Sequence, residues 1–367
     1  MTASELLSAL RLQRIPNIGD ITAKKLISYC GSPEAVFSDS KRSLSKIEGI
    51  GTFTLHELHK KTYLAEAEAE YNFIRSNKFD VALFTDVEYP DYLKHCSDGP
   101  FLLFMKGNIR LENKRVLSVV GTRTPSPNGK AFCEKFIEEL APFNPVVVSG
   151  FAYGIDIAIQ KAAMQANLQT IGCLAHGLNQ IYPKPHKKYQ ASVEVNGGFV
   201  TEFWSSSIPD RMHFLRRNRI IAGMSEATVV VESADKGGSL VTAALANSYN
   251  REVFAVPGRV SDKFSQGCNQ LIKGHRAQLI TSAADLIYLM NWDKDTMVKK
   301  PRQQSLFTEM NDKEKHIYEY LTKHGKQLLD TIALECRLPV YKVSSSLFEM
   351  EMQGWVRCLP GKMFEAV

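Results

Sequence analysis

The feature that most constrains the fold is a series of short apolar runs, rich in valine and isoleucine, between residues 80 and 290. They lie at 81–86, 115–123, 145–150, 170–175, 197–203, 227–233 and 251–258. Runs of this kind are typical of strands that are buried on both faces. Most are separated by helical segments, at 128–143, 154–167, 186–195, 211–224 and 238–250. This alternation predicts a Rossmann-like, doubly wound α/β fold with a mostly parallel sheet.

The segment before this region has a different pattern. Residues 1–75 read as helices joined by short turns, which predicts a helical domain of the SAM-like or helix-hairpin-helix type. Within it, the segments 15–27 and 47–51 share the pattern apolar-x-x-Ile-Gly. In a helix-hairpin-helix unit such a glycine turn presents backbone N–H groups to a DNA phosphate. A helical module that contacts protein explains the pattern about as well, and both interpretations stay open.

The pattern changes again after the sheet region. Residues 291–305 are polar, basic and aperiodic, which indicates a linker. Residues 306–367 predict a winged helix, with a turn at Leu338-Pro339, a second helix at 340–352 and a two-stranded wing turning at Pro360-Gly361. A winged helix usually suggests binding to duplex DNA, but this second helix has little net positive charge. A protein-binding or regulatory role is at least as well supported.

Charge and cysteine content narrow the class of partner and the compartment. A formal net charge of +6 and an isoelectric point near 8.8 favour an anionic partner, nucleic acid before membrane. The seven cysteines are scattered without a Cys-x-x-Cys pair, which argues against a disulfide framework and a structural zinc site. No histidine pair has metal-ligand spacing, and no segment resembles a signal peptide or a bilayer span. We expect a cytoplasmic protein with no metal site and no membrane contact.

The stretch at 215–242 says most about function, because an arginine-rich helix runs into a strand and then a glycine turn that opens another helix. Guanidinium groups and the free N–H groups of a helix N-terminus are suited to holding phosphates. In doubly wound sheets, ligands bind at the carboxyl ends of the strands. Those predicted ends carry Gly121, Thr122, Arg123, Ser149, Gly150, Gly177, Lys236, Gly237, Gly238, Ser239, Pro257 and Gly258. Their convergence predicts a phosphate-binding edge.

Sequence signatures of cofactor binding and catalysis are missing. The turn at 121–130 follows neither the dinucleotide-binding nor the P-loop pattern, so we expect no cofactor and no ATPase activity. No G-x-S-x-G elbow and no cysteine-nucleophile signature occurs. Asp156 and Glu202 do not pair as acid and base, and we expect them to form salt bridges with the arginines.

Two other functional classes compete with simple DNA binding. Rossmann-like phosphoribohydrolases carry P-G-G-x-G-T-x-x-E; laid over 237–244, it puts a motif glycine on Leu240, the threonine on Val241 and the catalytic glutamate on Ala244. With these changes the turn could still bind a phosphate, but we do not expect it to catalyse the hydrolase reaction. A small-nucleotide sensor whose winged helix relays a signal is the other hypothesis, which the sequence leaves open.

Motifs distributed over the central region carry a family resemblance. They are VVGTR (119–123), SGFAYGID (149–156), GLNQIYPKPH (177–186), FLRRNRIIAG (214–223), KGGSLVTA (236–243), VFAVPG (253–258) and GCNQLI (267–272). In this order they closely resemble the DNA-processing protein A family (DprA, also called Smf). The resemblance implies a protein without known catalysis that binds single-stranded DNA, forms a homodimer and loads the RecA recombinase. It also implies a role in natural transformation, where the protein opens the way past single-strand-binding protein.

The resemblance also assigns candidate DNA-binding residues. Carried over by motif, Arg123 and Lys184 match basic positions implicated in DNA binding. The segment 216–219 matches the family's arginine-asparagine-arginine segment, and Lys236 to Ser239 match its phosphate-facing turn. The DNA-binding set is then Gly121, Thr122, Arg123, Gly150, Gly177, Lys184, Arg216, Arg217, Asn218, Arg219, Lys236, Gly237, Gly238 and Ser239.

Three positions depart from the family pattern. Gln160 stands where the family often has histidine, Leu215 where a proline is usual, and His186 where the family has asparagine. The change at His186 could alter how a base or phosphate seats in that turn. None of the three removes a positive charge, so we still expect DNA binding.

Helical periodicity divides the roles within the arginine segment. Phe214, Arg217, Ile221 and Met224 share one partly apolar face, so we expect Arg217 to point inward and to bond to an acid or to backbone. Arg216 and Arg219 lie on another face and are the predicted DNA contacts.

The resemblance places the dimer interface at 268–290. Leu271 and Ile272 lie beside a predicted polar turn at 267–269, before the sheet's last strand around Leu279 and Ile280. We expect this pair to be partly exposed and to form the interface core. The half around Leu279 and Ile280 is expected to cover its own sheet.

Overall fold

The computed structural model describes residues 1–58, 60–292, 311–359 and 362–366. The chain divides into two compact units, Met1–Lys294 and Asp295–Val367. Most of the predicted linker at 291–305 lies outside the described residues.

The first unit begins with a group of helices. They are α1 (Ala3–Arg14), α2 (Asp20–Cys30), α3 (Pro33–Ser38), α4 (Lys41–Leu44), α5 (Thr52–Glu57) and α6 (Thr62–Asn77). A capping box of Thr2 and Glu5 starts α1, and Gly31, in the left-handed conformation at φ 92°, ends α2. Apolar side chains of these helices share one core with Phe104 and Phe199 of the sheet. The helices and the sheet therefore pack as one unit.

The sheet has nine strands in the order β1-β2-β6-β5-β4-β3-β7-β8-β9. Their bounds are β1 Asp80–Leu83, β2 Leu102–Gly107, β3 Val116–Val120, β4 Val146–Ser149, β5 Thr170–Cys173, β6 Gly197–Thr201, β7 Ala227–Val230, β8 Glu252–Ala255 and β9 Gln278–Leu279. All neighbours from β6 to β9 are parallel, whereas β2 pairs antiparallel with both β1 and β6. The predicted mostly parallel, doubly wound fold is confirmed. The chain order reverses at β3, which lies between β4 and β7, so the switch point that binds ligands in such sheets lies there.

Helices cover both faces of the sheet. They are α7 (Asp91–Lys94), α8 (Pro127–Leu140), α9 (Ile155–Gln165), α10 (Gln190–Val195), α11 (Arg211–Met224), α12 (Gly238–Ser248), α13 (Gln266–Lys273) and α14 (Ala283–Leu289), with 3₁₀ helices at Ala141–Phe143 and Lys184–Tyr189. Alternate residues of β4 pack against the helices on opposite faces of the sheet. Val147 packs in a core with α8, α9 and α14, while Val146 and Val148 pack in another with α11, α12 and α13.

The structure corrects the expectation for Leu271 and Ile272. The segment that contains them is the helix α13, and Leu271 is buried in the core shared with α11 and α12. Ile272 is half-buried and packs against the same core. Cys268 and Leu271 are three residues apart, so one face of the helix carries both toward the sheet. Of the half around Leu279 and Ile280, Ile280 is buried in the core as expected, whereas Leu279 is 48% exposed on the edge strand β9.

The second unit is a winged helix, as predicted. Its elements are α15 (Asp312–His324), β10 (Gln327–Leu328), α16 (Leu329–Glu335), α17 (Val340–Met352), β11 (Val356–Leu359) and β12 (Met363–Ala366). The three strands form a sheet in the order β10-β12-β11, over a core that includes Ile317, Ile332 and Leu347. The predicted wing turn at Pro360-Gly361 lies outside the described residues.

Candidate nucleic-acid interface

A crevice opens at the switch point between β3 and β7. It is a cavity of about 560 Å³ that the turn after β3, the arginine helix α11 and the N-terminus of α12 line together. Of the predicted residues, it brings together Gly121, Thr122, Arg123, Arg217, Asn218, Gly237, Gly238 and Ser239. This is the edge at which the sequence predicts a phosphate site.

A buried carboxylate holds the turn after β3 in place. Glu232, which follows β7, accepts hydrogen bonds from the Ser126 backbone N–H at 2.9 Å and from the Ser126 hydroxyl at 2.5 Å. Its carbonyl oxygen also accepts from the Thr122 N–H at 2.7 Å. Ser126 in turn caps α8. Glu232 could not be singled out from local sequence, because its partners lie more than 100 positions away.

The N-terminus of α12 forms the opposite wall of the crevice. The first-turn N–H groups of a helix have no intrahelical acceptor, and they favour an anion. Gly238 is exposed, and a Cβ added there would meet nothing within 4 Å, so a ligand can approach this backbone closely. Lys236, in the turn just before the helix, is exposed as well. This wall therefore has the groups that a phosphate needs.

Arg217 lies inside the protein, as the helical periodicity predicts. Its guanidinium group donates hydrogen bonds to the carbonyl oxygens of Gly150, at 2.7 Å, and Cys173. Burial raises the pKa of the neighbouring Asp156, while the positive charge of Arg217 opposes that rise. Arg217 thus forms the floor of the crevice and joins β4 to β5, which gives it a mainly structural role.

Gly150 and Gly177 do not line the crevice, contrary to expectation. Both are buried. A Cβ on Gly150 would lie 2.5 Å from Asp156 Oδ2 and 2.6 Å from Arg217 Nη2, so glycine leaves room for both side chains. A Cβ on Gly177 would lie 2.3 Å from the carbonyl oxygen of Trp204. Their placement fits tight packing behind the site rather than contact with DNA.

The structure also corrects the prediction that Arg219 contacts DNA. It is buried and bonds to the carboxylate of Glu202, to the carbonyl oxygen of Asp98 and, at 3.1 Å, to Asp20. Arg216, whose side chain is about half exposed, shares the same acids, at 3.0 Å from Asp20 and 2.6 Å from Glu202. The expected salt bridge of Glu202 to the arginines is therefore confirmed. Two buried carboxylates neutralise most of the charge on this face of α11.

Asp20 is the residue of this network that sequence reasoning missed. It is the first residue of α2, within the first apolar-x-x-Ile-Gly segment, and its carboxylate also accepts the Phe101 N–H at 3.1 Å. The glycine turn of that segment is thereby docked against the arginine helix. This contact favours the protein-contact interpretation for the first segment. The second segment, at 47–51, is exposed over most of its length.

Other cations at the sheet edge have no such neutralisation. Arg123, Lys184 and Lys236 are exposed and form no ion pair within the part of the chain that the structure describes. The Arg123 guanidinium lies 5.2 Å from the centre of the Phe214 ring, which itself lies 5.9 Å from the ring of Tyr182. Exposed cations beside aromatic rings are what single-stranded nucleic acid requires. The sequence did not predict that these two rings lie together, because Tyr182 and Phe214 belong to separate segments of the chain.

The three departures from the family pattern have different surroundings. Gln160 is buried and donates to the Thr170 hydroxyl at 3.2 Å, away from the crevice. Leu215 is 41% exposed at the crevice wall. His186 is buried, with Nδ1 at 3.0 Å from the Phe151 carbonyl oxygen, and burial lowers the pKa of its imidazole.

Three structural features bear on the alternative functions and partners. Ala244, on the position of the hydrolase glutamate, is an exposed residue of α12 and supplies no carboxylate. Among the described residues, no cluster of histidine, cysteine and acidic side chains is arranged to hold a metal ion. The helices in the described ranges are too short or too polar to cross a bilayer.

Comparison with known proteins identifies the family. Residues 80–291 match the family described as DNA recombination-mediator protein A, and residues 302–362 match the DprA winged helix domain. The protein belongs to the DNA recombination-mediator protein A family. A role in DNA processing and recombination mediation follows for this protein from its membership of the family.

Two named relatives support this assignment to the family. Protein Smf of Escherichia coli (strain K12) is 36% identical over 276 residues, which are 74% of this chain and 74% of that protein. The DNA processing protein DprA of Streptococcus pneumoniae (strain R6) is 39% identical over 210 residues, which are 57% of this chain and 74% of that protein.

Solved structures show the same fold. The X-ray structure of DNA processing protein A from Streptococcus pneumoniae superposes with a TM-score of 0.63 at 30% identity, covering 78% of this chain and 98% of that one. A structure of DNA processing protein A from Helicobacter pylori has a TM-score of 0.53 at 28% identity, covering 59% of this chain and 97% of that one. The Helicobacter pylori work describes single-stranded DNA binding by that protein.

The Asp20 network leads to a prediction about stability. Asp20→Asn leaves two guanidinium groups sharing the Glu202 carboxylate, so the free energy of unfolding should fall by about 1–3 kcal/mol. Urea unfolding measures this. Asp91→Asn is the control, because Asp91 is 87% exposed and pairs only with Lys94; its effect should stay below about 1 kcal/mol. Equal losses in the two variants would contradict a stabilising role for the network.

His186 leads to a prediction about pH. Its pKa is lowered in the folded state, so below the ordinary value of 6.5 the unfolded chain binds protons that the folded chain does not. Stability should therefore fall as the pH drops from about 7.5 to about 5.5. His186→Asn should reduce that loss in urea unfolding, whereas the same change at the exposed His95 should not. An unchanged pH dependence in His186→Asn would contradict the inference.

Proposed function

We propose that this protein binds single-stranded DNA in the crevice at the β3–β7 switch point and loads the RecA recombinase onto it. It does so as a recombination mediator during DNA uptake, in the cytoplasm and without catalysis of its own. The observation that carries the proposal is the convergence of unneutralised cations, the exposed Tyr182 ring beside the half-buried Phe214 ring, and a helix N-terminus at one edge of the sheet. A single strand offers its phosphates to the cations and to the helix N-terminus, and it offers the faces of its bases to the aromatic rings.

Each part of the crevice has a role in this proposal. Arg123 contacts phosphates from one side, together with Lys184, which lies two residues after the lining residue Tyr182. The N-terminus of α12 with Lys236 contacts them from the other side. Tyr182 and Phe214 present apolar surface for bases. Arg216 remains half exposed and adds positive potential at the rim, while Arg217 positions the floor. The single-stranded DNA binding described for the Helicobacter pylori protein supports this assignment.

The DNA-binding part is tested by salt titration. Arg123→Ala and Lys184→Ala should each weaken oligo-dT binding by about 1–3 kcal/mol and flatten the dependence of log K on log salt by about 0.7. Lys273→Ala, at the C-terminal end of α13, should change neither quantity. Unchanged affinity in a folded Arg123→Ala, Lys184→Ala double variant would remove the DNA site from this edge. Weak binding without length dependence would instead favour the small-nucleotide sensor or the hydrolase.

RecA loading needs its own assay with the same variants. We expect the wild-type protein to shorten the lag of RecA filament assembly on oligo-dT coated with single-strand-binding protein. Arg123→Ala should restore the lag, because a mediator that releases DNA cannot present it. If the wild type binds DNA tightly and leaves the lag unchanged, RecA loading is excluded while DNA binding stands.

A homodimer is part of the proposal, with its interface within 268–290. The exposed apolar side chains of that segment are Leu279, Tyr288 and Leu289, and Leu279 lies on the edge strand β9. A two-fold pairing there would place two DNA sites on one particle. Leu279→Lys should give a folded monomer in sedimentation, with weaker binding to long oligonucleotides only. A wild type that sediments as a monomer at micromolar concentration would exclude the dimer.

A further inference from the structure

A second cavity of about 500 Å³ lies beside the crevice. It is bounded by α8, α9 and the 3₁₀ helix Lys184–Tyr189. We call it the lysine groove, after its lining residues Lys130, Lys161 and Lys188, which it presents together with Tyr153 and Tyr189. The family motifs noted in the sequence include Tyr153 but none of the three lysines.

The lysine groove concentrates positive charge without counter-charge. Lys130, Lys161 and Lys188 come from three separate elements, all are exposed, and none forms an ion pair within the described ranges. The one acidic residue of the lining, Glu134, forms no ion pair with them either. Lys135 of the same helix α8, by contrast, pairs with Glu139 at 3.7 Å. Cations gathered in a concave surface raise the local concentration of an anionic ligand.

Aromatic rings lie among these cations. The ammonium groups of Lys188 and Lys161 lie 5.1 Å and 5.9 Å from the centre of the Tyr189 ring. Tyr153 is 45% exposed and its ring meets that of His186 edge-on at 5.0 Å. Because His186 is itself fixed by its contact with the Phe151 carbonyl oxygen, Tyr153 is held in a defined position. Rings fixed among cations suit a ligand that has both phosphates and flat bases.

The lysine groove is continuous with the crevice. Arg123 and Tyr153 line both cavities, so they form the boundary between them. A strand whose phosphate is held by Arg123 can therefore extend directly from one cavity into the other. A free mononucleotide would fill only one of them. The shared boundary favours a polymer over a small ligand.

We propose that the lysine groove holds the continuation of the DNA strand, beyond the nucleotides held in the crevice. Lys161 and Lys188 contact its phosphates, and Tyr189 and Tyr153 contact its bases. This inference rests on the proposed function, since it extends the same DNA path. It adds residues on α8 and α9 to the site and sets the minimum length of oligonucleotide that binds at full affinity.

A length series tests the proposal. Oligo-dT of about 4 and about 16 nucleotides, the range that one small binding fold accommodates, is titrated against the full-length protein. The Lys161→Gln, Lys188→Gln double variant should bind the long oligonucleotide more weakly, with a salt slope flatter by about 1.4, and bind the short one normally. Tyr189→Leu should weaken the long oligonucleotide by roughly 5-fold or more. Lys135→Gln is the matched control and should affect neither length.

The outcomes separate this inference from the function on which it rests. Arg123→Ala should weaken both lengths; if it weakens neither, the crevice is not the DNA site and both proposals fail. If Arg123→Ala weakens both lengths and the double lysine variant weakens neither, only the lysine groove is excluded. Binding of thymidine monophosphate that depends on Lys161 and Lys188 but not on Arg123 would make the groove a separate nucleotide site, and would also overturn the inference. Because the lysines are exposed, the double variant should fold normally, which its unfolding midpoint checks.

Discussion

The buried ion-pair network around the arginine helix α11 determines the geometry of the whole sheet edge. Arg219 joins Glu202, at the end of β6, to Asp20, in the N-terminal helices, while Arg217 bonds to carbonyl oxygens after β4 and β5. Charges removed from water require such partners, because an unpaired buried guanidinium would be strongly destabilising. The consequence is a rigid helix whose outer residues can form one wall of a ligand site.

The same network separates structural cations from those that can bind a ligand. Arg216 and Arg219 on α11 have their charge offset by Glu202 and Asp20. Arg123 and Lys184, on neighbouring turns, form no ion pair in the described ranges. The positive potential of the surface therefore comes mainly from residues outside the most arginine-rich segment. The number of arginines in a segment therefore does not determine how strongly that segment binds an anion, because only a charge without an internal partner attracts a phosphate.

Much of the fold could be predicted from the sequence. Helix α11 begins and ends at the predicted residues 211 and 224, because Asp210 caps its first turn and the apolar spacing is regular. The strand β2 was not assigned, because its apolar run carries no signal that distinguishes an antiparallel neighbour of β6 from a loop covering the core. The burial of Leu271 was missed because the predicted turn is a helix.

The sequence by itself determined the family, the alternation of strands and helices, and the edge of the sheet at which basic turns converge. Those features depend on local patterns: apolar periodicity, caps, and glycines at strand ends. Only the tertiary structure decided that Arg219 is neutralised, that Gly150 makes room for the side chains of Asp156 and Arg217, and that lysines of α8 and α9 line a groove with Tyr189. Each depends on partners from distant parts of the chain, such as Asp20, which lies 199 positions from Arg219. Local sequence carries no record of such partners, because charge neutralisation is set by distance in space.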